Sequence, residues 1–379
     1  MASYFGRNIR ISIFGQSHSP AIGVTIDGLP AGTQIDLQAL EAFMERRAPG
    51  RSKLATRRRE ADSLEIISGL APAAGEDEAD GGRYVYTCGA PLCIIIRNVD
   101  AQSRHYEEMQ RIPRPSHSDF TAFSKYGKWH DVNGGGHFSG RLTAPLCAAG
   151  GIALQLLGNM GIKTAAYLSS VGPVNGRRTD PLNPDMDALI ALSSASFPAL
   201  AGAEAEAMAA EIENAAKDGD SVGGIIELIA TGIPVGIGEM MFAGLESHIS
   251  SAVFAVPGVK GIEFGSGFAG SSTRGSVNND PFYPDGDAIK TSSNNHGGIL
   301  GGISSGMPLV FRVAMKPTPS IAIEQNSVDM GTMEAARIAV QGRHDPCIAL
   351  RAVPCIEAAA ALAIYDLYLE NLKQTRESI

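Results

Sequence analysis

Cysteine is scarce in this 379-residue chain, and its spacing gives no pairing. The five cysteines (Cys88, Cys93, Cys147, Cys347 and Cys355) are odd in number and form no CxxC pair. That argues against a disulfide framework or a cysteine-ligated metal site, and it fits a cytoplasmic, reducing setting. Positive charge is also short. Against 40 Asp and Glu there are 31 Lys and Arg, a formal net charge of −9. Such a balance speaks against a general nucleic-acid binder. No uncharged apolar run reaches membrane-spanning length, so no membrane partner is expected. Met1 leads into ASYFGRNIRISIFG without the blocks of a signal peptide. Neither GxGxxG after a strand nor GxxxxGK(S/T) occurs, which excludes Rossmann and P-loop readings. There is no internal repeat and no linker-like stretch, so residues 1–379 are expected to form a single domain.

What is present is an ordinary globular composition, with 44% hydrophobic and 19% charged residues and enough length to bury a large core. The most informative stretch is RIPRPSHSDFTAFSKYGKWHDVNGGGHFSGRLTAP, residues 111–145. It holds His117, His130 and His137, a Gly triplet, the only tryptophan, and Arg111, Arg114 and Arg141. Histidine exchanges protons near neutral pH, glycine lets backbone approach a ligand, and arginine grips phosphate or carboxylate. The stretch reads either as a proton-moving site beside an anion or as a solvated surface loop.

Hydrophobic periodicity gives strands over Asn8–Phe14 and Ile22–Ile26. A helix is expected from the cap Asp36 to about Arg47, with Leu37, Leu40 and Phe43 on one face. Strands follow at Glu65–Ser68 and Leu92–Arg97. A polar hairpin tip is expected at 76–82. A buried helix spans Thr143–Met160 despite Gly150 and Gly151, which imply close packing by another element. Further strands are expected at Lys163–Val171, Gly223–Thr231 and Leu309–Met315, with one or two surface helices over 185–217. Residues 265–285 read as an ordered loop. Pro354 suits the first turn of a last helix running to about Lys373, and Glu357 suits its positive end. Strands in adjacent pairs and grouped helices favour an α+β fold with antiparallel sheets.

Two other stretches suit anions. Arg46, Arg47, Arg51, Lys53, Arg57, Arg58 and Arg59 concentrate positive charge in an acidic chain. This is a clamp for a small multiply charged anion, a solvated charge run, or a nucleic-acid patch lacking interleaved aromatics. HGGILGGISSG before the Leu309–Met315 strand is rich in backbone N–H groups and hydroxyls, as phosphate binding needs, or is a plain glycine-rich connector.

Several separated motifs coincide in one family. GQSHSPAIGVTIDGLPAG, RRAPGRSKLATRRREAD, RPSHSDFTAFSKYG, GGGHFSGRLTAP, NNHGGILGGISSG with RVAMKPTPSI, and GRHDPCIALRAVPCIEA stand in the order found in chorismate synthases. The chain resembles that family over nearly its whole length. The resemblance implies a β-α-β sandwich on antiparallel sheets and a homotetramer. It implies conversion of 5-enolpyruvylshikimate 3-phosphate to chorismate by anti-1,4-elimination of phosphate, with reduced FMN and no net redox change. Reduced flavin would come from an external flavin reductase or from intrinsic reduction by NADPH. By resemblance His18 protonates the departing phosphate, His117 serves reduced FMN near N1, and Asp345 assists proton movement near N5, with Ser17 and Ser139 positioning these groups. Flavin contacts are implied at His137, Ser139, Pro257, Gly258, Gly301, Lys316, Pro317, Thr318, Pro319, Ser320 and Arg343. Substrate contacts are implied at Arg47, Arg51, Lys53 and Arg141. No metal is implied. The chain departs from the family pattern at Gln16 and Ser19 and at His137 and Leu142, where many members carry an Arg and a Glu.

Overall fold

The computed structural model describes residues 3–55, 62–72, 82–98, 111–340 and 344–376. The 76–81 part of the expected hairpin tip, together with Arg57, Arg58, Arg59 and Arg343, lies outside the described residues.

The alternating N-terminal segment folds back on itself because Gly15 and the turn after it break the run. This seeds the first sheet. Its strands are β1 (Tyr4–Phe5), β2 (Arg10–Gly15), β3 (Ala21–Asp27), β4 (Glu65–Ser68) and β5 (Leu92–Arg97), in the spatial order β1-β2-β3-β5-β4. Every pairing is antiparallel. Ile11, Ile22, Val24, Ile26, Ile94 and Ile96 point into the core. The second sheet has β6 (Lys163–Val171), β7 (Val174–Asn175), β8 (Gly224–Thr231), β9 (Val259–Phe264) and β10 (Leu309–Met315), in the order β9-β10-β8-β6-β7. It too is antiparallel throughout.

The helices are α1 (Leu37–Arg47), α2 (Asp119–Tyr126), α3 (Thr143–Asn159), α4 (Met186–Ser193), α5 (Ala203–Lys217), α6 (Leu245–Val253) and α7 (Ala349–Arg376), with two single-turn helices at Gly267–Gly270 and Gly275–Asn278. Helices α3 and α7 pack on each other, α3 against the first sheet and α7 against the second. The result is the expected α+β sandwich of sheet, helices and sheet. Asp36 caps α1, its Oδ1 accepting from Ala39 N at 3.0 Å. The expected close packing at α3 is present. A Cβ on Gly150 would fall 2.3 Å from that of Ala358, and one on Gly151 would fall 2.6 Å from Leu40 Cδ1. Both α3 and α7 are apolar enough by composition to cross a membrane, but here that character is spent on the core, where 89% of the apolar window of α7 is buried.

Three local expectations change. Helix α7 begins at Ala349, so Pro354 sits inside it rather than in its first turn. Burial on all sides outweighs the one hydrogen bond that proline removes. Glu357 does not serve the helix end. It is buried, accepts from Ala166 N at 2.7 Å and pairs with Arg46 at 2.7 Å, tying α7 to β6 and α1. Residues 265–285 are not simply a loop: Phe282–Asp285 pairs with Ala288–Thr291 as a hairpin across Gly286-Asp287. Gly286 has φ +61°, the conformation a tight hairpin turn requires.

Candidate active site

A cavity of about 560 Å³ opens where the loop before α3, the end of β10 and the start of α7 converge. Its volume falls within the range of small-molecule sites. Among the described residues five cations line it (Arg47, Arg114, Arg141, Lys316 and Arg351), with one carboxylate, Asp345. Val256, Met315, Ile348 and Ala352 add an apolar wall.

The chain before α2 builds the first corner. Ser116 adopts φ +58°, turning His117 back toward Asp119, the first residue of the helix. Asp119 is 2% exposed and grips Arg114 with both oxygens, accepting from Nε at 2.7 Å and from Nη2 at 2.8 Å. The same carboxylate meets His117 Nδ1 at 2.6 Å. Arg114 Nη2, a donor only, also lies 3.0 Å from Nδ1, but the shorter contact to a carboxylate that only accepts assigns the proton to Nδ1 and leaves Nε2 as the basic nitrogen. Burial, with Arg114 and Lys316 nearby, outweighs Asp119 and lowers the pKa of His117 below its ordinary value, keeping the imidazole neutral. Arg114 also donates to Ser320 Oγ at 3.1 Å, joining this corner to the segment after β10. Lys316 donates to the Ser116 carbonyl.

The glycine triplet makes the second corner. Gly134, Gly135 and Gly136 have φ of +59°, +83° and +55°, a run that side chains resist. A Cβ on Gly134 would fall 2.4 Å from Ser17 Oγ and 2.8 Å from His18 Nε2. Ser17 N donates to Gly136 O at 3.1 Å. The N-terminal histidine motif is thus laid directly behind the triplet. His18 meets the site through Gly134, although neither it nor Ser17 is in the cavity wall. His137 lies in the wall, its ring centroid 4.2 Å from that of Phe138 and 5.4 Å from that of Tyr126.

Asp62 organises the third corner. Buried and 6% exposed, it receives Arg47 on one oxygen and Arg141 on the other. Burial pushes its pKa up, but the two guanidiniums hold it below the ordinary carboxylate value. Arg47 Nε donates to Thr143 Oγ1 at 3.0 Å, and Arg141 Nε to Asn98 Oδ1 at 3.1 Å. Asp62 thus holds both guanidiniums in fixed geometry at the cavity, as recognition of an incoming anion needs. Asp345 pairs with Arg351 at 2.8 Å, and its carbonyl accepts from Thr318 Oγ1 at 2.8 Å.

Of the residues singled out from sequence, the cavity gathers His117, His137, Ser139, Arg47, Arg141, Pro257, Gly258, Lys316, Thr318, Pro319, Ser320 and Asp345. Others lie elsewhere. Gly301 sits in the turn of a two-stranded hairpin, Ile299–Leu300 with Ile303–Ser304, outside the lining. Pro317 faces Gly223 rather than the cavity. Arg51 donates to the Ser194 carbonyl, and neither it nor Lys53 lines the cavity. Sequence reasoning passed over Asp62, Asp119 and Arg351. The signal for Asp119 was its place two residues after His117. For Asp62, which acts across the fold, the signal was only an acid closing a basic run.

Among the described residues no cluster of His, Cys, Asp and Glu is arranged to hold a metal ion. The cavity does fit a flavin phosphate and a second anion, because cations border its apolar wall and Gly258, at φ +96°, presents bare backbone.

Comparison with known proteins agrees. The family model described as chorismate synthase matches residues 9–369. A chorismate synthase of Dehalococcoides mccartyi is 43% identical over 97% of each chain. That of Korarchaeum cryptofilum is 40% identical, covering 97% of this chain and 98% of the other. That of Thermococcus kodakarensis is 42% identical over 97% of each. A crystal structure of chorismate synthase shares the fold with a TM-score of 0.72 at 24% identity, covering 97% of this chain and 93% of that one. With matches running from the first sheet into the last helix, the chain belongs to the chorismate synthase family of carbon–oxygen lyases of the shikimate pathway.

Proposed function

We propose that the cavity binds 5-enolpyruvylshikimate 3-phosphate beside reduced FMN and eliminates phosphate and a ring proton to give chorismate. The activity is that of the family, a chorismate synthase. The observation that carries the division of labour is the arrangement of Asp119, His117 and the Arg47–Asp62–Arg141 bridge around one cavity. Ser139, His137, Pro257, Gly258, Lys316, Thr318, Pro319 and Ser320 would hold reduced FMN, which when bound would supply electron density to the substrate without net redox change. The remaining work belongs to the protein. Arg47 and Arg141 clamp the substrate's anions and offset charge as phosphate leaves. His18, set against Gly134 with Ser17, delivers a proton to the departing phosphate. His117, in the cavity lining, would serve the flavin near N1. A reduced, anionic ligand there would raise its pKa and favour the imidazolium. Asp345, held by Arg351, would assist proton movement near the flavin's N5.

Around this core we place a homotetramer in the cytoplasm, supplied with reduced flavin by an external NADPH-using reductase. Self-association is supported by exposed apolar side chains such as Phe242 (86% exposed) and Phe268 (79%). A cytoplasmic setting is supported by the free cysteines. A single domain over 1–379 is supported by Asp366, whose carboxylate caps the amides of Arg7, Asn8 and Ile9 from the far end of the chain.

The test is anaerobic turnover with chemically reduced FMN, following chorismate and phosphate. Tight flavin binding with no product would overturn the reading. Substituting Ala for His18 and for His117 should each leave flavin bound and cut turnover by about 10²-fold or more. Full activity in both variants would sink the assignments. Light scattering checks the tetramer, and NADPH oxidation by the purified chain alone would contradict the external reductase.

A further inference from the structure

The floor of the cavity carries a feature that the elimination does not use. Cys355 of α7 lines it, and Cys147 of α3 stands directly behind. Their Sγ atoms are 3.8 Å apart, with the Cys147 thiol directed at Cys355. The close approach has a backbone cause. One turn further along both helices, Gly150 lies against Ala358 with no room for a Cβ. The missing side chain brings the two helices near enough for a pair of short side chains to meet. Arg47 and Arg351, paired with Asp62 and Asp345, line the same cavity as Cys355. Hydrogen bonding from Cys147, together with Arg47, Thr143 and Arg351, pulls the Cys355 thiol below its ordinary value, while burial pushes Cys147 up. The pair is therefore asymmetric in access, with Cys355 in the cavity lining, its Sγ 3.5 Å from the Arg351 carbonyl, and Cys147 behind it. That is the arrangement of an attacking and a resolving cysteine.

We propose that Cys355 is a peroxide-reactive site and that Cys147 resolves it to a reversible disulfide that closes the cavity floor. The thiolate of Cys355 attacks hydrogen peroxide, the O–O bond breaks, hydroxide leaves, and Cys355 becomes a sulfenic acid with its sulfur oxidised by two electrons. Cys147 then attacks that sulfur. The S–S bond forms, the S–O bond breaks, and the Cys147 proton leaves with the hydroxyl as water. Closing Sγ–Sγ from 3.8 Å to a bond of about 2.05 Å draws α3 toward α7 beside Thr143 and Arg47. The anion clamp shifts with it, and turnover falls until a thiol reductant restores the pair. The chemistry depends on the cavity and not on the turnover assigned to it, so its test does not require an active enzyme.

The whole chain is treated with hydrogen peroxide at neutral pH under native conditions, quenched by alkylation and digested without reductant. A peptide joining Cys147 to Cys355 is expected, and dithiothreitol should release it. In C147S the sulfenic acid should persist at residue 355 and be trapped by dimedone. Before oxidation, a small alkylating probe should label Cys355 at least about tenfold faster than Cys147. Oxidation confined to Cys88, the exposed cysteine, would overturn the proposal, as would a C147S protein with no dimedone adduct at residue 355. An activity assay reads the second half. Peroxide should lower wild-type turnover reversibly, and full turnover in the cross-linked protein would refute the effect on the clamp.

Discussion

Two histidine–carboxylate pairs in this molecule look alike as lists of atoms and do different work. In the core, His248 Nε2 meets Asp366 at 2.9 Å, and that carboxylate is 0% exposed. At the cavity, His117 Nδ1 meets Asp119 at 2.6 Å. The core carboxylate is committed to the fold, because it also accepts from the amides of Arg7, Asn8 and Ile9 and so fastens the first strands to the last helix. The cavity carboxylate is committed to Arg114 and His117, and the second nitrogen of His117 is left toward a space a ligand can enter. A third pair, His296 with Asp280, has both ring nitrogens engaged, Nε2 by Ser305 at 2.9 Å. The pairing itself is therefore not diagnostic of chemistry. What distinguishes His117 is the destination of its other nitrogen.

The comparison breaks first at Asp366. Asp366→Ala strands three backbone amides and a buried histidine, and should cost about 3–5 kcal/mol of unfolding free energy. A loss under about 1 kcal/mol, measured by denaturant unfolding, would mean the carboxylate is not the fastening. At the other pair the effect should fall on rate. Asp119→Asn keeps size but removes the negative charge and one of the two acceptor oxygens that hold Arg114 and the His117 tautomer, so turnover should drop about 10²–10³-fold with flavin still bound. Turnover within a few-fold of wild type would show that Asp119 only packs.

Acid sharpens the contrast. Burial places the His117 pKa below the unfolded value of 6.5. In the window from pH 6.5 down through that lowered value, the unfolded chain holds a proton at this site that the folded chain does not. Stability contributed by the neutral imidazole is therefore present above pH 6.5 and lost as pH falls through the window. Unfolding free energies followed from pH 7 to 5 should show this slope, and His117→Gln should reduce it. An identical slope in the variant would assign the effect elsewhere. The smallest change is expected at His248→Gln, which retains a donor for Asp366. It should cost under about 1.5 kcal/mol and leave turnover unchanged. A loss of turnover there would erase the distinction between the two pairs.

Much of the fold was legible because local rules and burial agreed. Alternation gave β2 and β3, Asp36 announced α1, and the two glycines within an apolar helix implied close packing by another element, which the fold supplies from α7 and α1. The misreadings share a cause. Pro354 and Glu357 were judged by helix-end rules, but α7 is buried on all sides, and tertiary contacts override local preference. The Phe282–Asp285 strand lay at the end of a stretch whose glycines and serines read as loop, just before its Gly286-Asp287 turn.

The order of the motifs determined the family and the residue types that face the chemistry: two histidines, a run of cations and a run of glycines. That much follows from the motif resemblance, and it agrees with the side chains that proton transfer and anion binding need. Only the tertiary structure decided which of them meet. Arg47 and Arg141 lie 94 positions apart and share one oxygen each of Asp62, while Arg51 turns away to the Ser194 carbonyl. His18 reaches the site through Gly134, and Gly301 does not line it. Cys147 and Cys355, unremarkable by spacing, become neighbours because Gly150 lets two helices touch. The reason is physical: a side chain's chemistry is set by its own atoms, but its protonation, its partner and its access to a ligand are set by what the fold brings within a few ångströms.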